Sequence, residues 1–454
     1  MNYQLNNIKD LPAYVSNYLC KYGLTGWNPE LSSGKKFNNI VVIPAIQEYE
    51  NIQRLLLSLG SSDKRYFNES LFLFVINYFK SSSEDVKENN LKSINFLRNV
   101  ISKESKEDSF TDLNIGIIDV STARHEMPEK EGGVGFARKM GMDTALGHFD
   151  YLNNKKKIII SLDADCTVES NYLKAIVEAF NSKNLSAAYV QYEHPMPDNE
   201  QEKRAIICYE IFLRYYALGL KYACSKYAFP TIGSTIICDC ESFIKVGGMN
   251  NKKAAEDFYF LEKLAKITDV EKIADTKVYP SSRISNRVPF GTGQRIKRFQ
   301  IGTHDEYILY DPRTFRILKD WLEIFNSKNV FNAEEYLKAA EVINTSLKEF
   351  LIMNNFQQSW NKILNNSKSE IQVQKQKNIW FDGFRTLKLI HYLRDNGYPP
   401  VNMFRAIDEL VKIGNYPSVA GWRNLSAGRQ IENEKDLPPI SIQLEYLYLL
   451  RALT

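Results

Sequence analysis

Ile158-Ile159-Ile160-Ser161-Leu162-Asp163-Ala164-Asp165 is the stretch on which the fold reading turns. An apolar run without alternation suits a strand buried on both faces, as in a parallel sheet. This one delivers two carboxylates at i and i+2, which share a side wherever extended backbone persists. Two hard oxygen ligands there can hold Mg2+ or Mn2+ and leave coordination positions for substrate phosphates. An acidic loop is the bland alternative, because Asp-x-Asp at a strand end is common by chance.

Outward from it the same texture recurs at Ile40 to Ile43 before Pro44, at Leu71 to Ile76, at Ile115 to Ile118 and at Ala187 to Val190. Between the runs lie helical periods. Ile52, Leu55, Leu56 and Leu59 fall at i, i+3, i+4 and i+7, as do Leu173, Ile176, Val177 and Phe180. Strands alternating with helices predict an open α/β, mostly parallel sheet covered on both faces. Ligands of such sheets bind beyond the carboxyl ends of the strands. A long helix is expected from about Asn199 to Lys226, and after Pro312 only amphipathic helical patterns follow. The expected organisation is an N-terminal extension at 1–37, a catalytic domain at 38–312 and an all-helical domain at 313–454.

The 454 residues are 44% apolar and 25% charged, ordinary for a protein with a sizeable core. A net charge of +4 from 58 basic and 54 acidic groups argues against a general nucleic-acid binder. The six cysteines form no Cys-x-x-Cys pair and no zinc spacing. The first residues lack the basic start and apolar run of a signal peptide, and no stretch approaches the ~18 apolar residues of a membrane span. A reduced, cytoplasmic protein is the expectation, with contact to the inner face of a membrane left open.

Two further segments carry chemistry. Gly247-Gly248-Met249 is followed by Ala255-Glu256-Asp257-Phe258 and an apolar helical pattern through Leu261 and Leu264. Acids opening a helix are favoured by its dipole alone; the functional reading has one carboxylate removing a proton from an acceptor hydroxyl. From Arg283 to Arg298 run Arg283, Arg287, Arg295, Lys297 and Arg298 with no acid among them, around Gly291-Thr292-Gly293. Basic side chains beside flexible glycines can close over a pyrophosphate; a solvated basic loop is the alternative.

Together these pieces resemble family 2 glycosyltransferases. Val41-Val42-Ile43-Pro44-Ala45-Ile46-Gln47-Glu48-Tyr49-Glu50-Asn51-Ile52 resembles their opening strand, proline and helix start. Gly135-Phe136-Ala137-Arg138-Lys139-Met140-Gly141 is similar to their Gly-x-x-x-Ala-Arg segment, Asp163-Ala164-Asp165 to their Asp-x-Asp, and Gly247-Gly248 with Glu256-Asp257 to their Gly-Gly and Glu-Asp elements. The likeness covers roughly residues 38 to 300, with each motif loose but all in the right order.

The resemblance implies a GT-A fold, a Rossmann-like nucleotide-diphospho-sugar transferase domain. It implies a nucleotide-sugar pocket lined by Pro44, Ala45, Glu48, Asn77, Arg138, Asp163, Ala164, Asp165, Arg295 and Arg298. Asp165 and Asp163 would hold Mn2+ or Mg2+, with His304 of Gly302-Thr303-His304-Asp305 as a further ligand or phosphate contact. Asp257 would be the catalytic base, with Glu256 beside it. Arg295-Ile296-Lys297-Arg298-Phe299 resembles the (Gln/Arg)-x-x-Arg-Trp element of processive members, with Phe for Trp. Two departures stand out. Asn77 ends the second strand where an acid usually meets the nucleobase, and Lys139 replaces a usual Asn. His391 falls on a stripe with Trp380, Phe384 and Leu387 and reads as a core or boundary residue.

The implied activity is metal-dependent transfer of a hexosyl or N-acetylhexosaminyl group, with a UDP-sugar favoured as donor, to a hydroxyl of a glycan, lipid-linked or protein acceptor. Inversion and a place in bacterial-type surface glycan or glycoconjugate synthesis follow from the same likeness; a homo-oligomer stays open. A dinucleotide or P-loop enzyme is a poor fit. Arg138 stands where the fingerprint after Gly133-Val134-Gly135 needs glycine, and Gly34-Lys35-Lys36 lacks the following Ser or Thr. The remaining alternative is a non-catalytic GT-A scaffold that binds a nucleotide sugar or glycan.

Overall fold

The computed structural model describes residues 10–24, 26–105, 107–121, 126–129, 132–251, 255–283, 292–416 and 437–454. They fall into two compact units, Met1–Pro195 with Thr231–Gly291, and Met196–Pro230 with Thr292–Thr454. The boundary expected near 312 lies inside the second unit.

Among the described residues the first unit holds nine strands: β1 (Glu30–Leu31), β2 (Asn39–Ala45), β3 (Ser70–Asn77), β4 (Asn114–Val120), β5 (Ile158–Ser161), β6 (Thr167–Val168), β7 (Ala187–Tyr192), β8 (Ile236–Asp239) and β9 (Glu271–Tyr279). They form one sheet in the order β1-β4-β3-β2-β5-β8-β7-β9-β6. β4, β3, β2 and β5 are mutually parallel, as are β7 and β9, whereas β8 runs antiparallel to both β5 and β7. The α/β class and the mostly parallel sheet agree with the sequence expectation.

The helices in chain order are α1 (Ala13–Tyr22), α2 (Tyr49–Gly60), α3 (Glu84–Ile101), α4 (Val134–Leu146), α5 (Tyr172–Ser182), α6 (Glu200–Tyr222), α7 (Cys240–Lys245) and α8 (Glu256–Ala265), of which α6 belongs to the second unit. One face of the sheet, with Val41, Ile43, Phe72, Phe74, Ile115 and Ile117, packs on Leu55, Leu56 and Leu59 of α2, Ile94 and Leu97 of α3, and Leu173 and Ile176 of α5. The other face receives α4, whose Gly141 approaches so closely that a Cβ there would lie 2.3 Å from Val42 Cγ1. Strands β2 and β3 are buried along their whole length. This is why they read as unbroken apolar runs.

The N-terminal segment is sewn into this unit. Tyr18 of α1 donates to Asp143 Oδ1 at 2.8 Å, and the Leu24 amide and Lys139 Nζ each meet Asp143 Oδ2 at 2.8 Å. Lys139, unexpected beside the Ala-Arg motif, therefore neutralises a buried acid. Gly248, at φ +68°, has no room for a Cβ, which would sit 1.9 Å from the Tyr18 hydroxyl.

The second unit continues with α9 (Thr292–Ile301), α10 (Pro312–Phe325), α11 (Ala333–Ile343), α12 (Thr345–Met353), α13 (Phe356–Asn366), α14 (Glu370–Trp380), α15 (Gly383–Asp395), α16 (Met403–Gly414) and α17 (Ile440–Leu453). Asp311 caps α10 ahead of Pro312 at its first turn. One short antiparallel pair, Ile308–Leu309 with Val401–Asn402, interrupts the helices. The core is aromatic, with Trp321 stacked on Phe325 at 4.9 Å and Tyr336, Phe356 and Trp360 around them. Its polar centre is Glu210, buried on α6 and bonded by Arg214 at 2.7 Å and Arg451 at 2.8 Å. No helix of the described residues is long and apolar enough to cross a membrane.

Candidate active site

The sheet's topology decides which residues meet. The parallel strands β2, β3, β4, β5, β7 and β9 all end at one edge, and antiparallel β8 begins there. That edge therefore carries Glu48 after β2, Asn77 at the end of β3, Asp163 and Asp165 after β5, Gly233 ahead of β8 and Arg283 after β9. Helix α8 returns the chain from this edge toward the start of β9, so its first residues, Glu256 and Asp257, lie there too.

Arg138 joins the two acidic motifs. It projects from the second turn of α4, its Nη2 2.5 Å from Asp163 Oδ1 and its Nη1 bonded to Glu256 Oε1. The Arg138 and Glu256 side chains are 4% and 5% exposed, whereas Asp163 is 32% exposed. Burial works against the Arg138 charge, but Asp163, Glu256 and Asp257 more than reverse it, and its pKa is raised. Space for the guanidinium comes from Gly233, where a Cβ would lie 2.4 Å from Nη2. The sequence reading named neither Gly233 nor the bridge. Arg138 was expected to line the nucleotide pocket; here its two terminal nitrogens are spent on carboxylates.

Asp257 is the most perturbed acid of the cluster. Burial among protein atoms, then the neighbouring Glu256, push its carboxyl up to about 7, against the pull of Arg138 and of the Phe258 amide. By accessible area it keeps partial exposure, so the group is densely surrounded yet reachable. A carboxylate that titrates near neutrality and keeps contact with solvent is matched to general-base work. The residue before the pair, Ala255, adopts φ +59°, a left-handed conformation rare outside glycine that turns the chain into α8.

The second constellation lies around Asp165. Arg283 Nη2 is 3.2 Å from Asp165 Oδ2 and bonds Glu48 Oε1, while Glu48 Oε2 accepts from Asn51 Nδ2 at 2.6 Å. Gln47, at φ +56°, makes the turn that carries Glu48 past the end of β2. Asp163 and Asp165 supply only hard oxygens, both remain partly exposed, and Asp165 already attracts a cationic partner, so the pair fits Mg2+ or Mn2+ in chemistry. Among the described residues no three His, Cys, Asp or Glu side chains converge as a metal cage. An ion here would complete its shell with phosphate and water.

The other expected site residues are placed as follows. Pro44 and Ala45 are buried in β2, and Ala164 is buried between the two aspartates. Asn77 donates its amide to Ala45 O at 3.0 Å and Val75 O at 3.1 Å, and its own carbonyl accepts from Asn90. Its side chain thus ties strand ends together. Arg295 and Arg298 belong to the second unit, where both bond Glu306; Arg295 Nη1 lies 2.9 Å from it and Arg298 Nη2 2.7 Å. This acid lies just past the acid-free stretch and balances these two arginines. His304 is in the same unit, exposed, with Nδ1 3.0 Å from Thr303 Oγ1. His391 meets the Tyr310 hydroxyl at 2.8 Å, a boundary histidine as expected. Arg287 lies outside the described residues.

No protein-family model and no curated protein matches the chain. Solved structures do resemble it. S. aureus TarS 1-349 in complex with UDP-GlcNAc is 12% identical at a TM-score of 0.37, covering 80% of this chain and 93% of that one. The mannosyltransferase PcManGT from Pyrobaculum calidifontis, in complex with GDP-Man and Mn2+, is 12% identical at 0.36, covering 84% and 90%. GalNAc-T7 with UDP, GalNAc and Mn2+ is 14% identical at 0.35, covering 69% and 55%. All three are GT-A glycosyltransferases. At these TM-scores the likeness carries no weight for activity, which has to be argued from the residues themselves.

Proposed function

We propose that the chain is a glycosyltransferase that moves a sugar from a nucleotide-diphosphate sugar, with a UDP-sugar favoured, to an acceptor hydroxyl. One observation carries the reading: Arg138 holds Asp163 of the strand-end motif and Glu256 of the helix-start motif on a single guanidinium, which supports a metal-diphosphate end and a base end acting at one place.

Bound at Asp163 and Asp165, Mg2+ or Mn2+ would supply charge neutralisation for the departing diphosphate. The chain's own residues do the rest. Asp257, titrating near neutrality, accepts the proton of the acceptor hydroxyl as its oxygen attacks the anomeric carbon. Glu256 keeps Arg138 in place and, by its charge, holds the Asp257 carboxyl basic enough for that task. Inversion of the anomeric centre by direct displacement is part of this proposal and rests on the resemblance to family 2 glycosyltransferases.

The test is a thermal-shift and calorimetric screen of the full chain with UDP-, GDP- and dTDP-sugars, each with and without Mn2+. Selective stabilisation by one nucleotide, increased by Mn2+ and lost in Asp165→Ala, supports the reading. Indifference to every donor with Mn2+ present contradicts it.

A further inference from the structure

Among the described residues Arg138 and Arg283 both reach the carboxyl edge of the sheet, and they are held very differently. Arg138 is buried, uses both terminal nitrogens, and is boxed in by Gly233. Arg283 is 34% exposed and meets both of its acids, Glu48 and Asp165, through Nη2 alone. Its Nε is shielded from solvent with no acceptor among the described residues. A guanidinium bound through one nitrogen lacks the two-pronged carboxylate geometry that makes such pairs strong. Arg138 Nε is likewise without an acceptor and each of its acids is met by one nitrogen, so burial is what separates the two: at 4% exposure the first is locked in place, and at 34% the second is exchangeable.

We infer that Arg283 is the resident cation of the metal-binding site, and that a divalent ion and the Arg283 guanidinium exchange on Asp165. The inference rests on the reading above that Asp165 is a metal ligand. An arginine and a divalent cation on one carboxylate repel each other strongly at such range, even with the screening typical of a protein surface. Entry of the ion therefore releases Arg283 from Asp165. Glu48, buried and steadied by Asn51, keeps hold of the guanidinium after the exchange. The released Nη2 edge of the partly exposed guanidinium is then available to donate to an anionic diphosphate oxygen beside the ion. Arg283, one of the basic residues expected to meet the diphosphate, thus reaches Asp165 and serves first as the stand-in for the metal.

The experiment is Mn2+ binding without nucleotide, followed by loss of the free Mn2+ electron paramagnetic resonance signal, on the full chain and on Arg283→Ala, Arg283→Gln, Arg283→Lys and Asp165→Ala. Removing a partly exposed ion pair predicts about five-fold tighter Mn2+ binding in Arg283→Ala and Arg283→Gln. Arg283→Lys, which keeps the positive charge, should return toward the wild-type affinity, an effect that a purely structural role does not produce. Asp165-dependent binding of equal or weaker affinity in the Ala and Gln variants overturns the exchange while leaving the metal reading intact. Binding in none of the proteins, or binding unaffected by Asp165→Ala, overturns the metal reading and the exchange with it.

Discussion

Arg138 Nη2 lies 2.5 Å from Asp163 Oδ1 while Nη1 of the same guanidinium bonds Glu256, so one buried cation links an acid 25 positions along the chain to one 118 positions along it. Removing it leaves Glu256 charged and buried without its partner. Breaking a buried pair in this way costs about 3–5 kcal/mol. Arg138→Ala should therefore lower stability by that order in denaturant unfolding of the first unit's transition. Arg138→Lys should recover only part of the loss, because an ammonium cannot span both acids.

Gly233 offers a subtler perturbation of the same bridge. A methyl group there would collide with Arg138 Nη2 and Cζ at 2.4 and 2.5 Å. Side chains normally yield to such a clash, but this guanidinium is pinned at both ends. Gly233→Ala should cost about 1–3 kcal/mol of stability. Because the bridge sets Asp163 and Glu256, turnover should fall at least about ten-fold with substrate binding less affected, a split that steady-state kinetics resolves.

Asp257 sets the pH dependence. Its carboxyl is pushed from the ordinary 3.8 up to about 7, first by burial and then by Glu256. A base must be ionised to act, so kcat/KM should rise with pH and level off above about 7. Asp257→Asn should reduce it by about 10²–10⁴-fold and remove that rise. Stability runs the other way. An acid whose folded value is raised favours the fold below its unfolded value, and that contribution is lost as pH rises through the folded one. Asp257→Asn should thus be more stable than wild type above pH 7, by roughly 1–3 kcal/mol, and hold no such advantage below pH 4. Thermal melts across that window read the difference.

The N-terminal helix should prove integral to the catalytic unit. Tyr18→Phe strips the hydroxyl from the buried Asp143, at an expected cost of about 1–3 kcal/mol. Gly248→Ala should cost more, since it meets the same phenol and also needs φ +68°. Chemical denaturation of both variants checks the order.

Much of this was legible from residue order alone, and the reasons are physical. Strands β2, β3, β4 and β5 are covered on both faces, so their runs were unbroken, and their carboxyl ends pointed to Glu48, Asn77 and Asp163. β9 escaped notice because its burial alternates irregularly along Glu271–Tyr279, with charged residues facing out. β8 is only four residues long and led straight into α7. The extension at 1–37 reads as aperiodic because α1 is only ten residues long and its buried stripe is just Val15, Tyr18 and Leu19. Arg295 and Arg298 read as free cations in the sequence because their partner, Glu306, lies eight or more positions further along the chain. Gly233 carried no signal, since its need arises from a guanidinium that arrives from another helix.

The central claim is that the acids at the end of β5 and at the start of α8 act on one bound nucleotide sugar. The most direct measurement is release of nucleoside diphosphate from a panel of nucleotide sugars, with Mn2+ or with chelator, by wild type, Asp165→Ala and Asp257→Asn. The account predicts release by wild type from one donor, dependent on the metal and reduced by at least about 10²-fold in either variant. Release that persists in both variants, or tight donor binding with no release by wild type under any metal, would contradict it.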